Sequence, residues 1–147
     1  MRTLLRSVTR IQRLTGDDWL LLVAAAAAQL AASCALRAVP LSVLRPGLAR
    51  LRPLARALLK GSDERVIWAI EATGWRLRGV STCLVRAVIV EMRLASRERA
   101  VRLEIGVRRA PGAALESHAW VCDRDRVLIG GPVAGDFVRI VAWEHAA

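Results

Sequence analysis

Apolar residues change their spacing once along this chain, from a helical period before residue 96 to strict alternation after residue 100. Val101, Leu103, Ile105 and Val107 alternate with Arg102, Glu104 and Gly106. That period of two specifies a half-buried strand, because successive side chains leave a strand on opposite faces. A loop containing Pro111-Gly112 leads to a second strand from Glu116 to Cys122. Asp123-Arg124-Asp125 then turns the chain into a third strand, Arg126 to Ile129, and Phe137 to Trp143 supplies a fourth. Helices followed by an antiparallel sheet make an α+β domain.

The helical half begins with Trp19 to Leu36, eighteen residues without a charge, broken only by Gln29 and Ser33. As a helix this run is about 27 Å long, marginal for a bilayer. Eight of its residues are Ala, and Arg lies on both sides, so orientation in a membrane is poorly specified. A buried or partner-facing helix is the expectation, with peripheral membrane contact as the alternative. Thr15 or Asp17 caps it, and Asp17 and Asp18 suit the positive end of the helix dipole. Pro40, Pro46 and Pro53 with Gly47 then predict only short helices, one of them from Pro53 to Lys60. A further helix starts at Ser62 or Asp63 and uses Val66, Ile67, Ile70 and Trp75 as apolar positions until Gly74 and Gly79 break the pattern.

Charge divides the chain near Lys60-Gly61-Ser62. Residues 1–60 carry nine Arg and Lys60 against Asp17 and Asp18, whereas residues 61–147 carry thirteen Arg against eleven acids. The expected organisation is a basic, apolar helical region over 1–60 and a second domain over 61–147. A basic surface attracts acidic partners, anionic membranes or nucleic acid. Nucleic-acid modules interleave aromatics with their cations, and one Phe with no Tyr argues against that partner. The hydrophobic content of 54% and mean hydropathy of +0.34 exclude a disordered chain. Three cysteines cannot all pair within one chain, and neither CxxC spacing nor a Cys/His cluster occurs, so no metal or cofactor is expected. A cytoplasmic location, with possible membrane association, fits this cysteine usage.

Ser81 or Thr82 can cap a helix that ends near Ser96, with Leu84, Ala87, Val88, Met92, Leu94 and Ala95 on its buried side. Cys83 then falls in the first turn, where free N–H groups and the dipole favour a thiolate. A nucleophilic cysteine needs a base remote in sequence and adjacent in space, and His118 in Ser-His-Ala-Trp-Val is the candidate. Cys34 lies in the alanine-rich helix and Cys122 near a strand end without a base at matching spacing. His145 sits in the C-terminal tail. Trp120 and Trp75 are candidates for lining a groove, against the more usual role of tryptophan in a core.

Three segments carry a family resemblance: Thr82-Cys-Leu-Val-Arg-Ala87, Val101-Arg-Leu-Glu-Ile-Gly-Val-Arg108, and Glu116-Ser-His-Ala-Trp-Val121 followed by Arg126-Val-Leu-Ile-Gly-Gly-Pro132. Together they resemble the transglutaminase-like leader peptidases of lasso-peptide biosynthesis, strongly from about Asp63 to Pro132. The resemblance implies a transglutaminase/papain-like domain with N-terminal helices, a catalytic helix and an antiparallel sheet. It implies a cysteine peptidase that removes the leader of a precursor peptide, acting with a separate leader-recognition protein and a macrolactam cyclase. Related enzymes orient the histidine with an aspartate on the next strand. A hairpin turning at Arg124 places Gly130 or Gly131 opposite His118, and neither has a suitable side chain. Asp123 and Asp125 sit at the turn, so Asp136 ranks first as third member, with a backbone carbonyl or water as alternatives. Two other functions stay open: acyl transfer to an amine, and a non-enzymatic basic adaptor.

Overall fold

Thr15 starts the first helix, α1 (Gly16–Ala38), by a reciprocal cap. Its hydroxyl accepts from the Asp18 N–H at 3.3 Å, and the Asp18 carboxylate accepts from the Thr15 N–H at 2.9 Å. The structure, a computed structural model, describes residues 14–96, 98–109, 114–131 and 136–144. The Pro111-Gly112 loop, Pro132 and His145 therefore lie outside the described residues.

α1 is long and apolar enough to cross a membrane by length and composition. Its inward stripe of Leu21, Ala25, Gln29 and Ser33, four residues apart, instead packs within the fold. Gln29 donates to the Ile70 carbonyl at 3.2 Å and accepts from the Ser81 hydroxyl. A buried amide so fully engaged fixes the rotation of the helix against its neighbours.

One uninterrupted helix, α2 (Leu41–Leu58), replaces the short helices that the prolines predict, and it runs through both Pro46 and Pro53. Each proline removes one intrahelical bond. The two are exposed and seven residues apart, so both rings share the solvent face. The neighbouring face is held by Arg45, 3.0 Å from Glu91, by Arg52, and by Arg56 donating to the Ala95 carbonyl. The helix runs on despite a local proline penalty of about 3 kcal/mol per residue.

Ser62 caps α3 (Asp63–Arg76) and Thr82 caps α4 (Cys83–Leu94), each hydroxyl accepting from the N–H three residues on. α3 continues past Gly74, and Trp75, expected in the core, is exposed with the Arg78 guanidinium over its ring at 5.4 Å. Val85, Val88, Ile89 and Leu94 of α4 are buried.

β1 (Val101–Arg109), β2 (Leu115–Asp123), β3 (Arg126–Ile129) and β4 (Val138–Glu144) form an antiparallel sheet in the order β3-β2-β1-β4. In register, Leu103 faces Val121 and Ile105 faces Ala119. These side chains join the helices in one core, together with Val101 and Trp143. Alternation turns Glu104, His118, Trp120 and Cys122 to the other face, where Trp120 donates to Glu104 at 2.8 Å and Arg139 reaches Glu104 at 3.0 Å. β3 and β4 occupy opposite edges of the sheet. The architecture is the α+β fold expected from the change of period.

Candidate functional site

Cys83 is the first residue of α4, half-buried, directly after the Thr82 cap whose hydroxyl takes the Val85 N–H at 3.3 Å. The leading N–H groups of a helix have no intrahelical acceptor, so a thiolate or an oxyanion placed here meets donors and the positive end of the dipole. The other two thiols are placed differently. Cys34 is exposed on α1. Cys122 is buried, and burial, then the nearby Glu104 charge, pushes its thiol up and disfavours the thiolate.

His118 lies midway along β2, in contact with both Gly130 and Phe137. Its Nε2 is 2.7 Å from the Gly130 carbonyl oxygen, and its ring centroid is 5.2 Å from that of Phe137. A carbonyl only accepts, so Nε2 carries the proton in this bond and the neutral ring keeps its lone pair on Nδ1. Trp120, two residues on, follows the imidazole at 6.1 Å with an interplanar angle of 22°.

Helix α4 packs on the core face of β2, whereas His118 leaves the strand on the other face, so the two elements meet but their packing does not itself bring the Cys83 and His118 side chains together. Among the described residues no hydrogen bond joins the two side chains.

Asp136 stands apart from the imidazole. Its exposed carboxylate is 3.5 Å from Arg108, which also reaches Glu116 at 2.6 Å and lies over the Phe137 ring at 4.7 Å. The strand order explains the placement. Asp136 directly precedes β4, which pairs with β1, so its partner is an arginine of β1. Asp123 and Asp125 flank a tight turn at Arg124, whose φ is +53°, and Asp123 is held by Arg99 at 2.7 Å. The group that contacts the histidine is thus the backbone of Gly130, one of the two positions that the hairpin count placed opposite His118.

Glu104 was not legible as a special residue, since an acid alternating with apolar neighbours reads as solvent-facing. It is buried and joins Trp120 to Arg139. Among the described residues no group of His, Cys, Asp and Glu is arranged to hold a metal ion.

No curated protein and no solved structure matches the chain. A family model described as the Transglutaminase-like superfamily matches residues 19–142, a span that includes Cys83, His118, most of α1 and the whole of α2, α3 and α4. The chain therefore belongs to the transglutaminase-like superfamily.

Proposed function

We propose that this protein is a cysteine peptidase that removes the leader from a lasso-peptide precursor. The observation that carries the chemistry is a half-buried cysteine opening a capped helix, packed on the strand whose histidine is held through Nε2. The sequence resemblance over Thr82–Ala87, Val101–Arg108 and Glu116–Val121 supplies the substrate class.

In this reading His118 Nδ1 takes the proton from Cys83 Sγ, and the thiolate adds to the carbonyl carbon at the leader–core junction. The resulting oxyanion is met by N–H groups at the start of α4. Collapse breaks the C–N bond, and the imidazolium returns its proton to the amine of the departing core peptide. The leader remains as a thioester on Cys83 until water, deprotonated by His118, hydrolyses it. The freed core amine is then available to a macrolactam cyclase, and a separate leader-recognition protein presents the precursor.

Acyl transfer is the second reading, because the superfamily includes acyltransferases; there an amine replaces water in the final step. Precursor cleavage followed by mass spectrometry tests both. Wild type should release free leader acid, Cys83→Ala should lose about 10³-fold or more in rate, and Cys122→Ala should cleave normally. Turnover retained in Cys83→Ala sinks the nucleophile assignment. Amine adducts of the leader formed in preference to the acid, at modest amine concentration, would favour the transferase.

A further inference from the structure

We infer that the backbone carbonyl of Gly130 is the group that positions His118 as a base, in the place where a triad would use a carboxylate. This rests on the reading of His118 as the general base. The third member of such a triad holds the imidazole by the nitrogen remote from the nucleophile, which fixes the tautomer and the ring orientation. The Gly130 carbonyl lies 2.7 Å from Nε2, which leaves Nδ1 as the nitrogen for the nucleophile.

The carbonyl is itself held in place. Gly130 has φ +110°, a conformation that side chains disfavour, and a Cβ there would sit 2.9 Å from Trp120 Cα and 3.2 Å from the Ala119 carbonyl oxygen. The chain therefore turns flat against the backbone of β2 as it leaves β3, with its oxygen aimed at the imidazole two residues before Trp120. Trp120 is fixed by its bond to Glu104. Phe137 also closes on the ring and on Gly106, where a Cβ would lie 2.9 Å from the Phe137 Cβ. Orientation thus comes from backbone and packing. Asp136, engaged with Arg108, is dispensable.

A carbonyl differs from a carboxylate in a way that can be measured: it supplies geometry without a charge. Long-range ¹H–¹⁵N correlation on the labelled wild-type protein at about pH 9, where a histidine ring is neutral, reports the tautomer directly, with His118 assigned by its loss in His118→Gln. The expected result is a single Nε2–H tautomer with an Hε2 proton slow enough in exchange to be observed. An Nδ1–H tautomer, or a ring averaging between the two, overturns the inference.

Asp136→Asn should keep this signature and cleave the precursor within about twofold of wild type, whereas a tenfold loss with shifted ring nitrogens would make Asp136 the positioning group. Gly130→Ala should lose the protected Hε2 signal and about 10- to 100-fold of the cleavage rate, the usual cost of removing a supporting contact behind a reactive ligand. Retention of both in Gly130→Ala overturns the inference. If that variant does not fold, the wild-type spectrum decides alone. A wild-type chain showing the Nε2–H signature without cleaving any precursor would remove the peptidase reading and leave the positioning contact standing.

Discussion

The Gln29 amide nitrogen lies 2.6 Å from the Thr73 hydroxyl oxygen, across the buried contact between α1 and α3. Thr73 in turn donates to the Ala69 carbonyl at 2.7 Å. An alanine-rich helix has little shape with which to specify its register, so one fully bonded amide does that work. Gln29→Leu keeps the volume and leaves the Ser81 hydroxyl without its acceptor. Urea unfolding should show a loss of about 1–3 kcal/mol, the usual cost of stranding buried polar groups. A variant as stable as wild type would mean that α1 is held by its apolar stripe alone.

Glu91 gives a second test, this time through pH. Its carboxyl is buried between α2 and α4, and burial raises its pKa against the opposing pull of Arg45 and Arg52. Burial also lowers the Arg52 value, so both partners report that desolvation outweighs the attraction between them. A raised folded value means that the folded chain binds more protons than the unfolded one. Glu91 therefore contributes most below the ordinary Glu range, about pH 4, and that contribution falls as pH rises through the raised value. The stability of wild type minus that of Glu91→Gln should decline as pH rises above about 4 in urea melts. A difference that is flat or rises with pH would show that the arginine charges dominate.

Element type and order were readable because they follow from local pattern. Thr15, Ser62 and Thr82 each precede a helix that they cap, and β3 spans the residues Arg126 to Ile129 that alternation and the Asp123-Arg124-Asp125 turn assigned to it. The prolines misled because their cost is local, whereas the Arg45, Arg52 and Arg56 contacts that sustain α2 come from residues 35 or more positions away. Sequence singles out Cys83 and His118 as candidates because their chemistry lies in side chains. Site chemistry was not legible where backbone acts. Sequence ranks Asp136 above Gly130 because a carboxylate is visible in the letter code, whereas the aim of a carbonyl depends on a φ of +110° and on the strand order.

Thiol reactivity separates the roles of the three cysteines. In a Cys34→Ser background, which removes the exposed thiol of α1, iodoacetamide should modify Cys83 well ahead of Cys122, whose thiolate is disfavoured by burial and by Glu104. His118→Ala should slow Cys83 alkylation near neutral pH and cut precursor cleavage by about 10²–10⁴-fold, the usual contribution of a general base. Peptide mapping by mass spectrometry measures each site. An unchanged alkylation rate, with an unchanged pH dependence, would uncouple the two residues.

Dependence on a second protein is the remaining expectation, and the first sixty residues frame it. Leu51, Leu54 and Leu58 are exposed on α2, with Arg50 and Lys60 exposed beside them, an apolar face bordered by cations. Such a surface suits an acidic, partly apolar partner, with the charges acting chiefly on the rate of encounter. Presenting the leader through that partner raises its effective concentration at Cys83 to about the mM range for a short flexible connection. At low substrate the cleavage rate should therefore rise by orders of magnitude when the recognition protein is added. The gain should shrink as ionic strength rises and the Debye length shortens from about 10 Å at 0.1 M to about 3 Å at 1 M. Arg50→Glu with Lys60→Glu should weaken the stimulation while leaving the slow unassisted rate unchanged. Equal rates with and without the recognition protein, across all salt concentrations, would mean that this chain reads the leader itself and that the α2 face has another use.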